Sequence, residues 1–257
     1  MRPLQPLHID IAGMRDGFLA AQEGKKSRHM VADRVRPSRF QYDYLTLSRL
    51  AADVERLLRA APPASAGGSA LGSALDLGSD KSPYRELLEE RGYAVRTLDI
   101  TRDTGADYAG TIEATGLPDA SFDLVLCTQV IEHCTDPWQG LREIRRILRP
   151  GGHLVVSAPH VWFYHPHPTD HWRFTQEGLV RICRQAGLEP VTLLAQGGSV
   201  LTVAQVLNFL AYGVLGRAGA PLYGLVNLLG AAGDRLVRND LFCHNFACHA
   251  RKPLTEA

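Results

Sequence analysis

Between Ala74 and Ala195, short apolar runs alternate with segments of helical periodicity, and this alternation leaves the chain few architectures. The runs are Ala74–Leu77, Ala94–Asp99, a short one near Tyr108, Phe122–Cys127, His153–Ala158 and Glu189–Ala195. Runs this continuously apolar suit strands covered on both faces, so they predict a mostly parallel sheet in a doubly wound α/β fold. The segments Tyr84–Arg91, Pro137–Leu148 and Gln176–Ala186 read as the covering helices. In the second, Leu141, Ile144 and Leu148 fall on one face, and Arg149-Pro150-Gly151-Gly152 cannot continue a helix. A last strand is expected at Phe242–His249. Before it, Val200–Leu215 and Pro221–Leu236 form an apolar helical insertion, about 198–238.

The pattern divides the chain into an N-terminal helical extension over 1–60, a linker over 61–73 and the regular domain over 74–257. Phe40–Leu58 carries Leu47, Leu50, Val54, Leu57 and Leu58 at helical spacing, and Ala61–Ser73 is rich in Pro, Gly, Ser and Ala. In a chain of 257 residues, 28 Lys and Arg balance 27 Asp and Glu, which disfavours a nucleic-acid partner held by phosphate neutralisation. The arginines Arg142, Arg145, Arg146 and Arg149 read as a solvated helix face. Five scattered cysteines without a C-x-x-C pair fit reduced thiols, and the N-terminal residues do not read as a secretory signal, so a cytoplasmic protein is expected. The 200–236 segment falls short of the ~20 uninterrupted apolar residues of a membrane span. It is a candidate homodimer or peripheral membrane contact.

A nucleotide-like cofactor at the carboxyl end of a parallel sheet needs a tight turn with exposed backbone N–H groups. The turn after the first strand, Asp76-Leu77-Gly78-Ser79-Asp80-Lys81-Ser82, has a glycine for it. Asp99 ends the second strand 23 residues after Asp76, near the spacing expected of a carboxylate gripping ribose hydroxyls.

Farther on come LPDASFDLV (Leu117–Val125), QVIEH (Gln129–His133), Asp136-Pro137 and LREIRRILRPGG (Leu141–Gly152). In this order and spacing, from about Ala74 to Gly187, the chain resembles the class I S-adenosylmethionine (SAM)-dependent methyltransferases. The resemblance implies a Rossmann-like, seven-stranded sheet with an antiparallel last strand. It implies SAM as cofactor, with Gly78 and its neighbours Ser79 and Asp80 under the methionine part. Asp99 and the adjacent Ile100 would lie at the ribose, and Glu113 and Ala114 beside the adenine. Cys127, Thr128 and Gln129 would border the methyl group. Asp80 and Ser82 stand where the family favours glycine, and Thr111 where it favours an acidic residue.

Five of the ten histidines fall between His153 and His171, and P-x-D-x-W-R-F-T (Pro168–Thr175) resembles a stretch in methyltransferases of sugar, polysaccharide and natural-product pathways. Three readings stand side by side. Trp172, Arg173 and Phe174 pack the loop, with Arg173 paired to a carboxylate. Alternatively His165, His167, Asp170 and His171 line an acceptor pocket, one of them acting as base. A divalent metal held by histidines and Asp170 is the third, and no metal ligand is assigned. His133 is a further candidate base, or else a capping residue. Thr175 is an expected N-cap. The function expected is methyl transfer (EC 2.1.1 type) to a small-molecule acceptor, by preference a hydroxyl of a sugar or natural product. A catalytically idle SAM-fold interaction module and a metal-assisted, non-methylating enzyme are the alternatives.

Overall fold

The computed structural model describes residues 34–61, 71–78, 80–165, 168–237 and 239–254. Ser79, His167, residues 1–33 of the extension and 62–70 of the linker lie outside the described residues. Seven strands form one sheet in the order β3-β2-β1-β4-β5-β7-β6. They are β1 (Gly72–Leu77), β2 (Tyr93–Asp99), β3 (Tyr108–Ala109), β4 (Phe122–Thr128), β5 (Leu148–Pro159), β6 (Glu189–Gln196) and β7 (Asn245–Arg251). The first five run parallel, and β7 lies antiparallel between β5 and β6. This is the doubly wound sheet with an antiparallel last strand that the sequence implied.

Period-two alternation sorts the strand residues between two cores. Leu75, Leu77, Val125, Cys127, Leu154 and Val156 face α3 (Pro137–Ile147) and α4 (Gln176–Gln185), which supply Leu141, Ile144, Leu179 and Ile182. Ala74, Leu124, Leu126, Val155 and Ala247 face the other way. There α1 (Tyr44–Ala60) supplies Val54, Leu57 and Leu58, and α2 (Arg85–Glu90) supplies Leu88. The helix expected in the extension is therefore one of the sheet's own covers. Thr175 caps α4 by accepting from the Gly178 amide at 3.1 Å.

Three sequence boundaries shift for local reasons. Strand β1 starts at Gly72, inside the expected linker, because the Gly72 amide bonds the Gly92 carbonyl and the Ser73 amide bonds Asp123 Oδ2. Strand β5 starts directly at the end of α3, where Leu148 pairs with Phe122. Strand β7 starts three residues later than Phe242: the His244 carbonyl is occupied by the His160 and Val161 amides, and Leu241 is 90% exposed. The arginine face is not simply solvated. Arg146 bonds Glu143, Asp119 and the Leu117 carbonyl, tying α3 to the loop before β4, and Arg149 at the start of β5 bonds Asp123 of β4 at 2.6 Å.

Helices α5 (Ser199–Leu215) and α6 (Ala220–Leu236) form a hairpin that packs beside α1, and its polarity is inverted. Thr202, Gln205, Asn208, Asn227 and Asp234 are buried. Gln205 donates to the Tyr42 carbonyl, Asn208 to Asn227 Oδ1, and Asn227 to the carbonyls of Arg39 and Gln41. Val203, Leu207, Leu210, Val214, Leu222, Leu225 and Leu229 face outward.

Candidate active site

The sheet order reverses direction between β1 and β4, and a crevice at the carboxyl ends of those strands is where doubly wound sheets bind ligands. Gly78 closes β1 there with φ +69°, and its amide bonds the Leu98 carbonyl at 2.8 Å. A Cβ on Gly78 would lie 2.4 Å from Val130 Cγ2, so only glycine allows the turn after β4 to approach so closely.

Asp80 and Ser82, the departures from the glycine pattern, adopt φ +48° and +51°. The backbone keeps the left-handed shape that glycine would supply, in residue types that tolerate it. Side-chain contacts hold it. The Asp80 amide donates to Asp99 Oδ2 at 2.8 Å, and Ser82 Oγ donates to Asp76 Oδ2 at 2.6 Å. Burial raises the Asp76 carboxyl to about 6, against the Ser82 hydrogen bond. Asp76 is thus a buried prop beneath the turn.

Asp99 Oδ1 accepts from the Ile100 amide at 2.7 Å, so the carboxylate is gripped through both oxygens. Each oxygen retains a lone pair, which leaves Asp99 able to accept two further hydroxyl hydrogens. The Ile100 side chain is exposed beside it.

Glu113 is half-buried, and its Oε1 accepts from the Thr135 amide at 2.9 Å. Ala114 is exposed, bridged to Thr111. Cys127 lies inside β4. Its side chain is fully buried in the core, and burial pushes its thiol up. The next two residues are half-buried: Thr128 closes β4, and Gln129 follows at φ +56° with its Nε2 donating to Ser157 Oγ at 3.1 Å.

The turn after β4 carries the residue whose role the sequence did not disclose. Glu132 is 0% exposed, and neither carboxylate oxygen has a hydrogen-bond partner among the described residues. Burial pushes its carboxyl up to about 8. Its Oε1 lies 3.8 Å from His133 Nε2, and the His133 and His165 rings meet edge-to-face at 5.0 Å. Ligand atoms of Glu132, His133 and His165 all lie within 4.8 Å of one another. In the sequence Glu132 stood out only as part of the QVIEH motif, directly after the apolar pair Val130-Ile131.

The histidine-rich loop divides. Asp170 is held bidentately by Arg173, at 2.5 and 2.7 Å, and accepts from the His165 amide at 2.9 Å. Burial opposes its ionisation, but Arg173 and that amide overcome burial and hold it at about 2. An acid this strong and this occupied is no base at neutral pH. Arg173 also bonds the Phe163 and Trp172 carbonyls, while Trp172 Nε1 reaches the Cys134 carbonyl at 2.8 Å and Phe174 is buried. The carboxylate partner expected for Arg173 is Asp170, one of the residues read as catalytic. His171 has an exposed imidazole, and its backbone amide reaches the turn at the Glu132 carbonyl. Phe163 stacks on Phe209 of α5, so the hairpin abuts this loop.

Comparisons with known proteins agree with the geometry. Residues 75–156 match the family described as Methyltransferase domain. The chain is 33% identical over 94 residues to the malonyl-[acyl-carrier protein] O-methyltransferase of Serratia marcescens, spanning 37% of that protein and 33% of this one. It is 34% identical over 144 residues to an uncharacterized methyltransferase of Mycobacterium avium, 51% of this chain and 54% of that one. The chain thus spans from about a third to half the length of these curated relatives. Among solved structures, the 1,6-didemethyltoxoflavin-N1-methyltransferase of Burkholderia thailandensis, with its substrate and S-adenosylhomocysteine bound, superposes with a TM-score of 0.53 at 16% identity. That superposition covers 98% of this chain and 93% of the other, and it establishes the shared fold.

Proposed function

We propose that this chain is a SAM-dependent methyltransferase acting on a hydroxyl of a small molecule. S-adenosyl-L-methionine is the cofactor, held over the Gly78 turn with its ribose on Asp99. The observation that carries the reading is contiguity. Val130 packs on the cofactor turn, and two residues later Glu132 and His133 form the cluster with His165, so donor and acceptor sites share one crevice. The acceptor oxygen attacks the methyl carbon in line. The C–O bond forms as the S–C bond breaks, the sulfonium leaves as the neutral thioether of S-adenosylhomocysteine, and the hydroxyl proton is removed at the cluster. Alignment within ~3–3.5 Å supplies much of the rate. A sugar or natural-product acceptor is supported by the likeness of the Pro168–Thr175 loop alone. A catalytically idle module is less well supported, because Asp80 and Ser82 keep the backbone shape of the glycine turn.

The test is titration with SAM and S-adenosylhomocysteine. Wild type binds both, and Asp99→Ala loses about 1–3 kcal/mol, roughly five- to 150-fold, as a charged hydrogen-bond acceptor is removed. Binding of neither ligand overturns the reading.

The inverted hairpin supports peripheral contact with an anionic membrane surface. Its exposed residues between Ser199 and Val237 are apolar or glycine apart from Arg217 and Arg235, and its acidic Asp234 is buried. Each helix has 17 residues, about 25 Å at 1.5 Å per residue, short of a ~30 Å hydrocarbon core. The hairpin therefore suits lying in the interface rather than spanning it. Sedimentation with vesicles of neutral and anionic lipid tests this: anionic vesicles retain the protein, and Leu207→Glu with Leu229→Glu releases it. A dimer in solution that those substitutions split, with no vesicle binding, assigns the face to a second copy. Five buried, unpaired cysteines support a reducing, cytoplasmic location.

A further inference from the structure

We infer that Glu132, His133 and His165 form a binding site for one divalent transition-metal ion at the acceptor side of the crevice. Two imidazoles and one carboxylate are an established ligand set for such ions, leaving open positions for an incoming oxygen. Composition alone would not carry this; the outer contacts do. A metal-ligating histidine characteristically gives its other ring N–H to a carboxylate or a backbone carbonyl, which fixes the tautomer and aims the free nitrogen. Both histidines have that arrangement. His133 Nδ1 meets the Thr169 carbonyl, leaving Nε2 as the nitrogen 3.8 Å from Glu132 Oε1. His165 Nδ1 lies 3.0 Å from the Phe163 carbonyl and 3.2 Å from Asp170 Oδ2, which again leaves Nε2 free.

The third ligand explains an otherwise costly feature. A carboxylate with no exposure and no hydrogen-bond partner is unfavourable unless something else compensates it. Arg173 and Arg34 act on it only through their charge, without a hydrogen bond to either oxygen, and the Arg173 guanidinium is committed to Asp170 and to the carbonyls of Trp162, Phe163 and Trp172. A divalent ion between Glu132 and the two Nε2 atoms satisfies all three groups at once. This also gives Asp170 and Arg173 their task. They anchor the loop segment that presents His165, so Asp170 is a positioning residue behind a ligand.

The chemistry rests on the methyltransferase reading, whereas the binding does not. A bound cation lowers the pKa of a coordinated hydroxyl as it does that of water. The acceptor's proton then leaves to solvent, because both imidazoles are occupied as ligands.

The experiment titrates full-length protein, stripped with chelator, with Mn2+ or Co2+ alone and separately with S-adenosylhomocysteine. One ion per chain is expected, and Co2+ should show the visible d–d bands of mixed nitrogen and oxygen ligation. His165→Ala and Glu132→Gln should each weaken the ion at least tenfold and abolish or shift those bands, with S-adenosylhomocysteine binding retained as the sign of an intact fold. If Glu132→Gln fails to fold, His165→Ala, on the surface loop, still decides. Normal S-adenosylhomocysteine binding with no ion bound overturns the site, as does an ion unaffected by His165→Ala. Ion binding without S-adenosylhomocysteine binding overturns the methyltransferase reading instead and leaves the metal site standing.

Discussion

Replacing Gly78 by alanine should damage this protein in two separable ways. At φ +69° an L-residue costs about 1–2 kcal/mol, because Cβ crowds the following carbonyl. The new Cβ would also sit 2.4 Å from Val130 Cγ2 and 2.9 Å from its Cγ1, an overpacking that costs about 1–3 kcal/mol. Lower entropy of the unfolded chain returns about 0.4–1 kcal/mol. The expected net loss is about 2–4 kcal/mol, read from urea unfolding at fixed pH. Adding Val130→Ala removes the clash and leaves the backbone cost. The double variant should therefore be more stable than the sum of the single effects by at least about 1 kcal/mol, within the range seen for touching pairs. It should still fall below Val130→Ala alone, by up to about 1.6 kcal/mol, the backbone cost less the entropy return. Because Val130 leads into the Glu132–His133 turn, Gly78→Ala should also weaken S-adenosylhomocysteine, with partial recovery in the double variant. Strictly additive stabilities would refute the close approach, and a Gly78→Ala variant as stable as wild type would refute the left-handed backbone as well.

Three further outcomes follow from the contacts. Asp76 has its folded pKa raised, to about 6 from 3.8, so the folded state holds the proton more tightly. Wild-type stability should then fall relative to Asp76→Asn as pH rises from about 4 to 6, by about 1.4 kcal/mol per unit, and run parallel to it above. Matched unfolding curves at pH 4, 5, 6 and 7.5 check this, and parallel curves throughout would exclude it. Asp170→Asn leaves Arg173 without its bidentate partner and should cost about 3 kcal/mol, the low end for a broken buried pair because Arg173 retains some access to water. Increased proteolysis confined to the 160–173 loop would report it. Thr175→Ala should cost about 1 kcal/mol through loss of the α4 cap and leave cofactor binding intact; a change under 0.3 kcal/mol would deny the cap its role.

The sequence by itself determined the sheet. Period-two and helical patterns are local properties of the chain, so the strands, the helices that cover them and the glycine turn after β1 could be read without coordinates. The spacing of Asp76, Gly78 and Asp99 belongs to this class, since the β–turn–α unit that joins them is itself local. Only the tertiary structure decided what the polar residues do, because that depends on neighbours distant in the chain. Asp170 and His171 carry equally suggestive side chains, yet one is locked by Arg173 and the other faces solvent. Cys127 stands at the right end of β4, but strand alternation turns it into the core. Glu132 looked like one letter of a motif until burial showed it to be an unpartnered carboxylate beside two imidazoles 32 residues apart in the chain. The insertion's apolarity was legible, but its inversion was not. Composition records how many leucines a helix has, and only packing shows that its asparagines and glutamine face inward.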